Sequence, residues 1–175
     1  QINHSTRNGL EIFFIHGNRD FLCGQNFAKQ SNLTLLPDPF FLNFFDLKIA
    51  LSHGDDFCTK DLEYIKFKKE VRSQTWQKQF LQKTLEERLN IASNMRDASQ
   101  SSNHTKDMVI MDVTPSAVDE FCSKHGIDLL IHGHTHKPNT HQTNIGTRIV
   151  LGDWNKTGWC FMLDEQQKEL KEFKL

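Results

Sequence analysis

Short apolar runs, each closed by a glycine or a polar turn, mark both ends of this chain, and a stretch with helical spacing separates them. Glu11 to Ile15, Leu33 to Leu36, Phe40 to Phe45 and Leu47 to Ser52 have the length and content of strands. Asp46 falls between the last two as a hairpin tip, and Pro37 and Pro39 mark the turn before them. Phe21 to Gln30 predicts a short helix with Asp20 as its cap. From Asp61 to about Arg96, Ile65, Val71, Trp76, Phe80, Leu81, Leu85 and Leu89 recur at mixed helical spacing, which predicts a helical insertion. Ala98 to Lys106 is rich in Ser and Asn and predicts a loop. Thr114 and Pro115 suit the cap and first position of a helix that runs to about His125 and stops at Gly126. Strands are then expected at Ile127 to Ile131, Thr147 to Leu151 and Trp159 to Leu163, with a last short one at Glu169 to Phe173, the later ones antiparallel. Strands and helices mixed in this way predict an α/β fold.

Composition narrows the function without deciding it. The 175 residues suit one domain with a real core. A net charge of -1 gives no global drive toward nucleic acid, and no apolar run is long enough to span a bilayer. The polar start, Gln1 to Gly9, lacks the basic-then-apolar pattern of a signal peptide. Cys23, Cys58, Cys122 and Cys160 are far apart with no ligand spacing, and are expected to be reduced thiols of a cytosolic protein. Charge is uneven: the insertion carries Lys66, Lys68, Lys69, Arg72, Lys78, Lys83, Arg88 and Arg96 against fewer acidic residues.

Three strand ends share one form. Ile15-His16-Gly17-Asn18, Ser52-His53-Gly54-Asp55 and Ile131-His132-Gly133-His134 each run from an apolar strand into His-Gly and then a polar residue. Ligands of α/β sheets gather at the carboxyl ends of strands. Side by side, these ends would converge Asn18, His53, Asp55, His134 and His136, with glycines letting the backbone turn sharply. Such a set offers nitrogen and oxygen donors and no sulfur, which suits Mn²⁺, Fe²⁺ or Zn²⁺.

Gly17-Asn18-Arg19-Asp20, His53-Gly54-Asp55 and Gly133-His134-Thr135-His136 resemble the later motifs of the calcineurin-like metallophosphoesterases. Cys58-Thr59, Asp61, Ser99, Asn103, Lys106, Ile110 to Val113 and Leu151 to Trp154 narrow the resemblance to one branch. That branch hydrolyses the pyrophosphate bond of UDP-2,3-diacylglucosamine, in lipid A synthesis, to UMP and 2,3-diacylglucosamine 1-phosphate. The resemblance implies a β-sandwich flanked by helices, with the insertion at about 62–106 as a lid over acyl chains within one domain. It implies Asn18, His53 and His134 as ligands of one Mn²⁺ ion and His136 as a ligand of a second. Asn18, Arg19, Asp61, Ser99, Asn103, Lys106 and His134 would contact the acylated UDP-sugar substrate, and His134 would also serve catalysis near the leaving oxygen. His132 matches a position that is not a ligand. The mixed apolar and basic insertion fits an acylated, phosphorylated substrate and an anionic membrane surface, and the resemblance implies a peripheral protein on the cytoplasmic face of the inner membrane. Neither nucleic acid nor a protein partner is implied.

The family pattern opens with Asp-x-His and Gly-Asp motifs, the latter carrying a carboxylate that bridges the two ions. Neither precedes Asn18. The resemblance therefore implies a missing N-terminal part of about two β-α units, or roughly 60 residues, and with it two strands of the sheet. Only one ion would be well coordinated, and the segment alone would have little activity. Two alternatives remain open: a metallophosphoesterase for another phosphate ester, and a non-catalytic metal-binding module.

Overall fold

The computed structural model describes the backbone of residues 1–105 and 110–175, and the side chains of these except 100 and 102–105. The elements in order are α1 (Ile2–Arg7), β1 (Phe13–Phe14), α2 (Gln25–Ser31), β2 (Thr34–Leu35), β3 (Phe40–Phe44) and β4 (Leu47–Ser52). There follow α3 (Leu62–Val71), α4 (Gln74–Leu81), α5 (Leu85–Thr105), α6 (Pro115–His125) and β5 (Leu129–His132). The last are β6 (Asn139–Gln142), β7 (Thr147–Val150), β8 (Thr157–Leu163) and β9 (Lys168–Lys174). The chain divides into two compact units, Gln1–Phe57 with Pro115–Leu175, and Cys58–Thr114.

The first unit is built on a mixed five-stranded sheet of order β3-β4-β5-β7-β6. Because side chains alternate across a strand, each strand divides its residues between two faces. Ile49, Leu129 and Ile149 form one face, covered by Phe161, Leu163 and Leu170 of the β8–β9 hairpin, which makes a second layer. The opposite face presents Phe41 and His132: Phe41 stacks on Phe121 of α6 at 6.0 Å, and Phe57 meets both Phe121 and His132 edge to face. Leu129 and Leu130 are completely buried, so β5 is covered on both sides, as befits its continuous apolar run. β1 and β2 pair in parallel as a separate small sheet joined through α2.

The second unit holds three helices, each started by a side chain that takes up an otherwise orphaned amide. Asp61 accepts from Tyr64 N at the start of α3, and Ser73 from Trp76 N at the start of α4. Thr84 and Glu87 form a reciprocal capping box ahead of α5, with Glu87 Oε2 accepting from Thr84 N at 2.8 Å and Thr84 Oγ1 from Glu87 N at 3.2 Å. These bonds from Thr84 hold the Glu87 carboxyl below its ordinary pKa. Val71, Phe80, Val113 and Cys58 are buried in this unit. Among the described residues, no helix is long and apolar enough to cross a membrane.

Several expectations are corrected. The loop over Ala98 to Lys106 is instead the end of α5, which runs to Thr105, while Lys106 lies outside the described residues. A helix once nucleated gains a bond for each residue added, whereas a Ser or Asn in its interior costs only a few tenths of a kcal/mol, so propagation overrides composition. Asp20 does not cap α2; Gly24 takes that position, and the Asp20 carboxylate accepts from Gly17 N. β1 spans two residues where five were expected, since it has one short partner to pair with. β7 is antiparallel to β6 but parallel to β5. β6 and α1 have mostly polar sequences and carry no apolar run that would predict them.

Candidate metal centre

Parallel pairing brings the histidine-bearing ends together. β4 and β5 are parallel neighbours with Ser52 opposite His132, so both chains leave the sheet at the same edge. Gly133 N then donates to His53 O at 3.1 Å, and Leu151 N donates to His132 O at 2.7 Å where β7 ends beside them. His53 and His134 consequently face one another. His134 Nδ1 lies 3.2 Å from His53 Nε2, with the ring centroids 5.0 Å apart and the planes at 75°.

The third strand end arrives through Gly17. A Cβ at Gly17 would stand 3.1 Å from His53 Cε1, so the Gly17-Asn18 turn lies against the His53 ring and the lack of a side chain permits the approach. His16 Nε2 donates to Cys23 O at 2.7 Å, and Asp20 accepts from Gly17 N; these bonds close the turn on itself. Burial, then the nearby Asp20 carboxylate, push the Cys23 thiol above its ordinary pKa, which disfavours the thiolate. Asn18 is half-buried and Arg19 is exposed.

His134 and His136 both hold left-handed backbone, at φ 64° and 53°. Non-glycine residues in this region cost about 1 kcal/mol or more each, and such strain clusters where side chains must be aimed. His136 is exposed and its Nδ1 is 4.0 Å from Asp153 Oδ2. Asp61 is the nearly buried cap of α3, and Ser99 is an exposed residue of α5; both belong to the second unit. Asn103 falls on α5 without a described side chain, and Lys106 lies outside the described residues. Asp55 is buried at the turn after β4. One contributor carried no sequence signal beyond an Asp between prolines: Asp38 Oδ2 accepts from His53 N at 3.0 Å and holds the backbone that carries the imidazole.

These residues fit a divalent ion. Two imidazole nitrogens bonded to one ion at about 2.1 Å each are held roughly 3–3.4 Å apart, and His53 and His134 stand at 3.2 Å. The turn that lies against the His53 ring also carries the half-buried Asn18, a residue type with an oxygen donor. No cluster of three or more His, Cys, Asp or Glu residues arranged for an ion occurs among the described residues; what the strand ends bring together is the His53–His134 pair.

A mixed sheet with two facing layers, and ligand-type residues at its parallel strand ends, defines a class. Residues 2–138 match the family model of the calcineurin-like phosphoesterases, and the chain belongs to that family. Its fold is that of the family, mixed α/β around a central mixed sheet. A UDP-2,3-diacylglucosamine hydrolase of Aeromonas salmonicida is 45% identical over 168 residues, covering 94% of this chain and 66% of the relative. One of the same name from Shewanella piezotolerans is 46% identical over 167 residues, covering 93% of this chain and 69% of the relative. The chain spans about two thirds of the length of the curated relatives it matches. A solved archaeal phosphodiesterase shares the fold at a TM-score of 0.50 and 16% identity, over 99% of this chain and 74% of that one.

Proposed function

We propose that this chain belongs to a metal-dependent hydrolase that cleaves the pyrophosphate bond of UDP-2,3-diacylglucosamine, releasing UMP and 2,3-diacylglucosamine 1-phosphate. The observation that carries this reading is the approach of His134 Nδ1 to within 3.2 Å of His53 Nε2 at the ends of adjacent parallel strands, in a chain 45% identical to a hydrolase of that name. Asn18, His53 and His134 are proposed to hold one Mn²⁺ ion, and His136 to contribute to a second. Divalent ions in such a site polarise a phosphoryl oxygen and make a bound water more acidic. The chain's own residues would then orient and neutralise the substrate: Arg19, with its exposed guanidinium, and Lys106 would offset phosphate charge. Asp61, Ser99 and Asn103 would contact the substrate from the helical unit. His134 would stand near the leaving oxygen.

The second unit supports an acylated substrate. Leu62, Leu81, Leu85 and Leu89 are exposed on helices that also carry Lys66, Lys68, Lys69 and Lys78, with Lys83 in the turn between α4 and α5. Exposed leucines beside cations suit acyl chains and an anionic lipid surface, and the proposed location is peripheral, on the cytoplasmic face of the inner membrane. A non-catalytic metal-binding module is the second reading, favoured by the lack, among the described residues, of any group of three or more His, Cys, Asp or Glu that could hold an ion.

UMP release with and without Mn²⁺ tests the proposal, run on the 175-residue chain and on the longest chain its gene encodes. Turnover by the long form that chelation abolishes, with at most weak turnover by the short form, is the expected result. Mn²⁺ binding to the long form without any UMP release would favour the non-catalytic module.

A further inference from the structure

His132 lies directly behind the candidate metal centre and is not one of its proposed ligands. It is 1% exposed, an imidazole buried where burial demands that both ring nitrogens find partners. Its Nε2 is 3.2 Å from Arg148 Nη1, and its Nδ1 is 3.0 Å from the Gly133 carbonyl oxygen. A guanidinium nitrogen only donates and a carbonyl oxygen only accepts. Together these contacts allow a single arrangement: Nε2 accepts from Arg148, and Nδ1 carries the proton and donates to Gly133.

The ring also abuts the other ligand-bearing turn. Gly54 follows His53 with φ 101°, and a Cβ there would lie 2.6 Å from His132 Nδ1, closer than real Cβ atoms come. Phe57 closes a further side, edge to face at 6.0 Å. The imidazole therefore touches both turns at once: it is bonded to the carbonyl immediately before His134 and seated against the glycine immediately after His53. β5 and β7 are in register with His132 opposite Val150, which sets Arg148 on the neighbouring parallel strand two residues back.

We propose that His132 is a positioning residue that clamps the His53 and His134 turns at ligand spacing, and that Arg148 sets its Nδ1–H tautomer. Were the proton on Nε2, it would face the guanidinium, Nδ1 would face the Gly133 carbonyl without a hydrogen, and the clamp would open. The inference rests on the metal reading above only for what the clamped spacing serves; the tautomer and the contacts stand without it.

The test has two readouts on the 175-residue chain. Nitrogen NMR of the histidine rings reads the tautomer directly, with no metal present. Wild-type protein is expected to show Nδ1 protonated at His132, and Arg148→Met to show a mixture. Mn²⁺ affinity, by calorimetric titration, is expected to weaken about 10–100-fold in His132→Leu and in Arg148→Met, the range for outer-shell partners of metal ligands. His132→Asn is expected to stay within a few-fold of wild type, because its amide nitrogen can donate as Nδ1 does. Circular dichroism on each variant confirms the fold, and Arg148→Met keeps the imidazole in place should His132→Leu fail to fold. An Nε2–H ring in the wild type, or folded Arg148→Met binding Mn²⁺ as tightly as wild type, would overturn the proposal. Failure of the wild type to bind Mn²⁺ with the Nδ1–H tautomer present would instead count against the metal reading and leave the clamp standing.

Discussion

In the first unit, Ile49, Leu129, Leu130 and Ile149 each expose 2% of their surface or less; in the second, Leu62, Leu81, Leu85 and Leu89 each expose more than half. The two units hold themselves together differently. β5 lies between β4 and β7, covered by the β8–β9 hairpin on one face and by α6 on the other, so its stability comes from residues distant in sequence. The helices of the second unit satisfy their backbone internally and are started by caps three residues away, at Asp61, Ser73 and Thr84. Apolar surface is then left exposed. The contrast matches the division of labour proposed here: a well-buried sheet to aim two imidazoles at one another, and a locally stabilised helical unit to meet an acylated substrate.

Breaking the comparison begins with the core. Leu129→Ala should lower unfolding free energy by about 2–5 kcal/mol, since the site is closed on both faces and can collapse little; urea denaturation measures it. A loss below about 1 kcal/mol would mean that the sheet is not the stable element. Next in size is the cap of α3. Asp61→Ala should cost about 1 kcal/mol and lower helicity, whereas Asp61→Asn keeps an equivalent cap. If Asp61 also contacts substrate, Asp61→Asn will slow turnover with stability unchanged, and circular dichroism beside UMP release separates the two roles. The smallest expected change in stability is that of the double substitution of Leu85 and Leu89 by Ser, within about 0.5 kcal/mol because both are exposed. The same variant should bind anionic vesicles more weakly. Unchanged retention on vesicles would remove the membrane reading and leave the leucines as ordinary surface.

Much of the candidate site can be read in the chain because it is written in short local patterns. An apolar run, a glycine and a histidine state where a strand ends and that a side chain is aimed there, and the three repeats of that pattern are at His16, His53 and His132. Capping is equally local, and Thr84-Leu85-Glu86-Glu87 is a complete capping box in sequence. What local pattern cannot carry is the neighbour. Asp38 reaches the His53 amide from a turn 15 residues away, with only flanking prolines to mark it. Helix propagation carried α5 through Ser99 and Ser101 because the residues before them had already nucleated it.

By itself, the sequence determined most of the element types and the family, which depend on periodicity, turn chemistry and motif spacing within a few residues, and it named the residues it offers to a metal. Tertiary structure alone decided three things: that β4 and β5 lie parallel with Ser52 opposite His132, that His53 and His134 therefore meet at 3.2 Å, and that Arg148 faces the ring of His132. The reason is physical. Strand register and the tautomer of a buried ring are set by hydrogen bonds between segments 16 to 81 residues apart, and those bonds exist only once the sheet has closed around its core.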